Sequence, residues 1–120
     1  MMITPVQWTL DVTDIERQAE FWSSALGYRV QPEVDGSARL LPVTGDRSAM
    51  TVWLQPTTHP PQGKNPLHLD FAAARPEAAI ARLLELGARR CNVGQTGREG
   101  FVVLADPEGN EFCVFTEPRT

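Results

Sequence analysis

Positive charge is in short supply. Eleven Lys and Arg against 15 Asp and Glu leave a net charge of -4, so nothing draws the chain toward a phosphate backbone, and nucleic acid is not an expected partner. The adjacent Arg89 and Arg90 read as solvated charge at a strand start. Cysteine is scarce as well: Cys91 and Cys113 lack the CxxC spacing of a zinc ribbon or a redox pair. Long apolar runs are missing. The longest is the five residues from Phe101 to Ala105, against the roughly 20 a membrane-crossing helix needs, so no membrane partner is expected. The opening residues Met-Met-Ile-Thr-Pro-Val-Gln-Trp offer neither the basic nor the apolar region of a secretory signal, and the expected location is the cytoplasm, where both thiols stay reduced. What is present is an ordinary globular mix, 42% hydrophobic and 22% charged over 120 residues, enough for one compact domain over 1–120 and too little for two independent cores.

An internal repeat organises the chain. Val6 to Val12, a helical stretch and Leu26-Gly27-Tyr28-Arg29 are echoed about half a chain later by Leu67 to Phe71, a helical stretch and Leu86-Gly87-Ala88-Arg89. In the first half, Val6, Trp8, Leu10 and Val12 alternate with Gln7, Thr9 and Asp11, the period of a strand with one buried face. Thr13-x-x-Glu16 has the spacing of a capping box and predicts a helix start. Ile15, Ala19, Trp22 and Leu26 then form one stripe, and Gly27 follows where a left-handed stop is expected. Runs at 28–34, 38–43 and 50–55, separated by Asp35-Gly36 and Thr44-Gly45-Asp46, predict three strands joined by turns.

The first module therefore spans about 3–56. Residues 57–66, with three prolines and no apolar periodicity, predict a surface linker in which His59 and Lys64 are solvated. The second module, about 67–117, repeats the order. Pro76 suits a first helical turn, although no Ser, Thr, Asp or Asn precedes it, and Ile80, Leu83, Leu84 and Gly87 supply the stripe and stop. Runs at 89–93, 100–105 and 111–116 follow, the last two joined by the hairpin sequence Asp106-Pro-Glu-Gly-Asn110.

Phe21-Trp22-x-x-x-Leu26-Gly27-Tyr28, Leu67-His68-Leu69-Asp70 and Asp106-Pro-Glu-Gly-Asn-Glu-Phe112, in this order and spacing, resemble the vicinal oxygen chelate superfamily of glyoxalase-like, bleomycin-resistance-like and extradiol-dioxygenase-like proteins, closest to a small actinobacterial-type branch. The resemblance covers about 4–117. It implies an α+β fold of two βαβββ modules whose curved mixed sheets form a ligand cleft, and a homodimer. It also implies that metal-using members would take ligands at the positions of Gln7, about Trp53, His68 and Cys113. Gln7 and His68 suit that role. Trp53 and Cys113 depart from it, so no metal cofactor is expected; were a divalent ion held, Gln7, His68 and Glu111 or Cys113 would hold it.

Alternation assigns the faces without reference to any family. If Leu67, Leu69 and Phe71 pack on the helix, His68 and Asp70 face the cleft, together with Gln7, Thr9 and Asp11, then Thr51, Trp53 and Gln55, then Glu111, Cys113 and Phe115. His68 is read first as a hydrogen-bonding pocket residue, and Asp70 either orients its imidazole or is a strand-end carboxylate satisfied by the backbone. Cys113 reads as a small buried apolar residue more than a nucleophile. Trp53 is equally a pocket wall and a core residue, whereas Trp8 and Trp22 are assigned to the core. The expected ligand-binding set is Gln7, Thr9, Trp53, Gln55, His68, Asp70, Cys113 and Phe115, with Trp53 and Phe115 as walls.

These residues predict a pocket for a small aromatic or polycyclic organic molecule, metal-independent and of sequestration or resistance type. Two enzymatic alternatives stand beside it: a metal-dependent lyase, isomerase or dioxygenase, and metal-free acid–base catalysis by His68 and Asp70. Whether the protein is an enzyme is left open by the sequence, since this architecture hosts many chemistries.

Overall fold

The computed structural model describes residues 2–43, 49–60, 62, 65–92, 96 and 98–117. The chain divides into two compact units, Met1–Pro60 and Pro61–Thr120. The turn expected at Thr44-Gly45-Asp46, the end of the run at 89–93 and Lys64 lie outside the described residues.

The first unit runs β1 (Gln7–Val12), α1 (Ile15–Leu26), β2 (Tyr28–Pro32), β3 (Ala38–Pro42) and β4 (Thr51–Pro56). Its four strands form one mixed sheet in the order β1-β4-β3-β2. β2 to β4 make an antiparallel meander, and β4 closes it by pairing parallel to β1. That parallel pairing needs the crossover that α1 supplies. Trp8, Leu10 and Val12 turn to the packed side of β1 and grow more buried along it, while Gln7, Thr9 and Asp11 stay exposed. Ala19, Phe21 and Trp22 of α1 and Leu40, Val52 and Leu54 of the sheet are all buried in the core, where α1 packs on β3 and β4. Phe21 and Trp22 stand edge to face with centroids 5.0 Å apart, a favoured aromatic arrangement. Trp22 is a core residue as expected, but Trp8 is only half-buried.

The α1 start corrects the sequence reading by one residue. Asp14, not Thr13, is the N-cap, and its carboxylate accepts from the Arg17 N–H. A carboxylate at this position also meets the positive end of the helix, which makes it the better cap of the two. The stop at Gly27 is as expected: φ is 70°, and its N–H donates to the Ser23 carbonyl.

The second unit repeats the plan with β5 (Leu69–Phe71), α2 (Pro76–Leu86), β6 (Arg89–Arg90), β7 (Phe101–Ala105) and β8 (Glu111–Phe115), ordered β5-β8-β7-β6 with β5 parallel to β8. Both helices and both four-stranded sheets have the expected order, and the fold is α+β. α2 begins at Pro76 without any side-chain cap, the weaker start its sequence implies. β5 begins at Leu69, so His68 precedes the strand, and Leu67 is 84% exposed and does not pack on the helix. Pairing with β8 starts at Leu69, opposite Phe112, and sets where the strand begins. The β7–β8 hairpin is clamped by Asp106, which is wholly buried and accepts from the N–H groups of Glu108 and Asn110. Phe71 and Phe112 meet edge to face at 5.7 Å in this unit's core.

Candidate functional site

The residues singled out by the sequence fall into two groups, one in each unit. In the first unit, the register sets Thr9 beside Trp53 and Asp11 beside Gln55, while Arg39 of β3 lies on the other side of Trp53. Strands place alternate side chains on one face, so these five share the side of the sheet away from α1. The Arg39 guanidinium carbon sits 5.5 Å from the Trp53 ring centroid, within cation–π reach. Its Nε and Nη2 both donate to Glu33 Oε1, at 3.1 and 2.9 Å. Arg39 is thereby held as a fixed cap on the indole.

Next to this stack opens a solvent-accessible cavity of about 500 Å³ lined by Gln7, Thr9, Asp35, Ser37, Trp53, Gln55 and Pro56. Four of the eight residues expected to bind a ligand are here. Asp35 and Ser37, in the β2–β3 turn, carry no sequence signal beyond turn chemistry. The turn stands because Asp35 Oδ1 accepts from the Ser37 N–H at 2.9 Å and Gly36 has φ 90°. The Ser37 backbone N–H, helped by the Ser37 hydroxyl, holds the Asp35 carboxyl below its ordinary range. The cavity lining thus includes a carboxylate and an indole. Alternation along β3, where buried Ala38 and Leu40 flank Arg39, is the signal that would add Arg39 to the expected set.

In the second unit, His68 Nδ1 lies 3.2 Å from Asp70 Oδ1, both side chains being 44% exposed. Asp70 is paired in register with Cys113. One donor atom from each of His68, Asp70 and Cys113 lies within 4.8 Å of the others. His68 and Cys113 also line a cavity of about 170 Å³ with Asn65, Phe101, Val103, Glu111 and Phe112. The expected wall Phe115 is not among its lining residues; Phe101, opposite it in the β7–β8 register, is. Cys91, whose N–H donates to the Val103 carbonyl, has its thiol pushed up by burial and then by the Glu111 carboxylate, with Arg89 opposing.

The metal positions implied by the resemblance divide unevenly between the units. Gln7 and Trp53 offer a neutral amide and an indole, and only His68 and Cys113 bring donors of real affinity. A hard ion such as Mn(II), which wants oxygen donors, is not matched by that set.

Residues 7–115 match the family described as a glyoxalase-like domain. No curated protein matches the chain. Among solved structures, it is similar to the fosfomycin resistance protein FosX from Mesorhizobium loti, at 19% identity and TM-score 0.73, covering 98% of this chain and 95% of that one. It is similar to FosX from Listeria monocytogenes, complexed with Mn(II) and a dihydroxypropylphosphonic acid, at 14% identity and TM-score 0.75 over 98% and 93%. A glyoxalase/bleomycin resistance protein from Albidiferax ferrireducens matches at 22% identity and TM-score 0.66 over 94% and 98%. The paired βαβββ units, the family match over nearly the whole chain and these shared folds agree: the chain belongs to the glyoxalase-like family of the vicinal oxygen chelate superfamily.

Proposed function

We propose that the protein binds a small planar aromatic molecule against Trp53 in the cavity of the first unit, as a sequestering protein of resistance type, and that this binding needs no metal. The observation that carries the reading is the Arg39-capped Trp53 beside a cavity of about 500 Å³ edged by Gln7, Thr9, Asp35, Ser37 and Gln55. Its volume is in the range of pockets for drug-sized ligands, and Trp53 and Pro56 give it an apolar surface beside five polar lining residues that would fix a ligand's orientation. The indole supplies a stacking surface already held in place by the cation on it, so little side-chain entropy is lost when a ring docks. Asp35 favours a ligand carrying a basic nitrogen, since its carboxylate stays ionised. None of the groups at this cavity except Asp35 is a metal donor of strength.

The test is calorimetric titration of planar aromatic amines, run both with and without chelator. Trp53→Ala removes stacking worth about 0.5–1.5 kcal/mol beyond buried area, so binding weakens by roughly tenfold. Equal affinity of wild type and Trp53→Ala for every amine that binds would refute the proposal, as would affinity that disappears with chelator. The His68–Asp70 contact supports a second reading, metal-free acid–base catalysis, in which Asp70 orients the imidazole and the other ring nitrogen exchanges the proton. Turnover in chelator that His68→Ala abolishes would establish that reading.

A further inference from the structure

We propose that Arg39 selects the class of aromatic ligand taken beside Trp53: a neutral, electron-rich ring that carries its positive charge on a tethered amine, and not a ring that is itself cationic. This rests on the reading of the Trp53 cavity given above and adds to it the ligand class and the residue that selects it.

Arg39 is held over the indole through a chain of contacts on β2 and β3. Its Nε and Nη2 both donate to Glu33 Oε1. Gln31, opposite Arg39 in the β2–β3 register, donates from Nε2 to the same oxygen at 3.4 Å, and Arg29 Nη1 donates to Gln31 Oε1 at 3.3 Å. The Glu33 side chain is 22% exposed and that of Arg39 36%, so the pair is partly shielded from water. A guanidinium with two N–H groups fixed on one carboxylate keeps its plane. It stays 5.5 Å from the Trp53 ring centroid instead of sampling solvent.

The register puts Arg39 on one side of Trp53 and Thr9 on the other. Thr9 and Trp53 line the cavity, whereas Arg39 is not among its lining residues. The indole surface offered to a ligand is therefore the one away from the guanidinium. An aromatic face attracts a cation through its negative quadrupole, and Arg39 already draws that electron density to its own side. A second cation stacked on the remaining surface gains less and is repelled by the first. A neutral electron-rich ring stacks there without that penalty. Glu33 offsets most of the long-range charge of Arg39, so the selection acts on the stacked ring and not on the net charge of the ligand. An amine on a tether escapes it. Asp35, in the same lining and fixed by the Ser37 N–H at 2.9 Å, gives that amine a carboxylate partner.

Two bicyclic probes of equal size and equal charge test this on the full chain by calorimetric titration at neutral pH. Naphthylethylamine has a neutral ring and a tethered ammonium; N-methylquinolinium carries its charge in the ring. Wild type should bind the amine about tenfold more tightly, the combined effect of the Asp35 contact and the blocked cation–π contact. Arg39→Met, which keeps an apolar stem without the charge, should shift that ratio about threefold or more toward the quinolinium, the size of one partly exposed cation–π contact. Arg39→Gln should do the same. Asp35→Asn should weaken the amine more than the quinolinium. Each ratio is taken within one variant, so a general loss of affinity or stability cancels. Equal affinity for the two probes in wild type, a ratio that both Arg39 variants leave unchanged, or equal losses for the two probes in Asp35→Asn would each overturn the proposal, while amine binding that Trp53→Ala weakens keeps the cavity reading intact. If Trp53→Ala weakens neither probe, the cavity reading fails and the proposal falls with it.

Discussion

Replacing Asp106 by alanine should loosen the β7–β8 hairpin that carries Glu111 and Cys113. The carboxylate is wholly buried, and its Oδ1 accepts from Glu108 N–H at 3.0 Å, Asn110 N–H at 2.9 Å and Asn110 Nδ2 at 3.2 Å, with Oδ2 taking Nδ2 at 3.0 Å. Alanine leaves two backbone donors without their ionised acceptor, at about 1.5–3 kcal/mol each, and releasing a buried charge to water returns part of that. The net loss is about 2–4 kcal/mol, a large share of the 5–15 kcal/mol typical of a folded domain. The backbone bonds from Asp106 N–H to Asn110 and from Gly109 N–H to Asp106 survive the change, which keeps the loss below outright unfolding. Asp106→Asn retains an oxygen for the two backbone donors but turns an NH2 toward that of Asn110, so about half the loss is expected. Urea unfolding should be followed by far-ultraviolet circular dichroism, because all three tryptophans, at 8, 22 and 53, lie in the first unit. The midpoint for Asp106→Ala should fall by about 1–2 M. A fall corresponding to less than about 0.5 kcal/mol, or Asp106→Asn as damaging as Asp106→Ala, would refute the clamp.

Asp35 should titrate below its ordinary value of 3.8. With its folded value depressed, the stabilisation it gives the turn is complete above 3.8 and is lost as pH falls through the lower folded value; a carboxyl resonance with its midpoint at or above 3.8 would contradict the Ser37 contact. The Cys91 thiol, pushed up by burial and by Glu111, should alkylate more slowly than free cysteine near pH 8, and Glu111→Gln should recover only part of the difference, since burial is the larger cause; mass spectrometry of the labelled peptide reads both. Gly27 has φ 70° with open space where a Cβ would stand, so Gly27→Ala should cost only the left-handed strain of about 1–2 kcal/mol. A larger loss in thermal unfolding would mean a contact at that position.

Much of the architecture is legible in the order of residues. Strand alternation over Gln7 to Val12 separates the packed face from the open one, and the recurrence of Leu-Gly after each helix marks two equivalent units. Such patterns are local, because a strand's faces and a helix's stripe follow from bond geometry within a few residues. The cap lies one residue beyond its expected place because Thr13 and Asp14 are both competent caps. β5 starts two residues late because pairing with β8, not the run of Leu67 to Phe71, sets where the strand begins. Asp35, Ser37 and Arg39 are not legible as site residues from the chain alone. Register brings Arg39 to Trp53, and a turn at the strand ends brings Asp35 to the cavity. His68 and Asp70 are neighbours in sequence, but the parallel pairing of β5 with β8 is what sets Cys113 beside them. The repeat and its periodicity therefore determined the order of the elements and the candidate faces. Which side chains converge into one site was decided by hydrogen-bond register between distant strands, a property of the folded sheet that no short window of sequence contains.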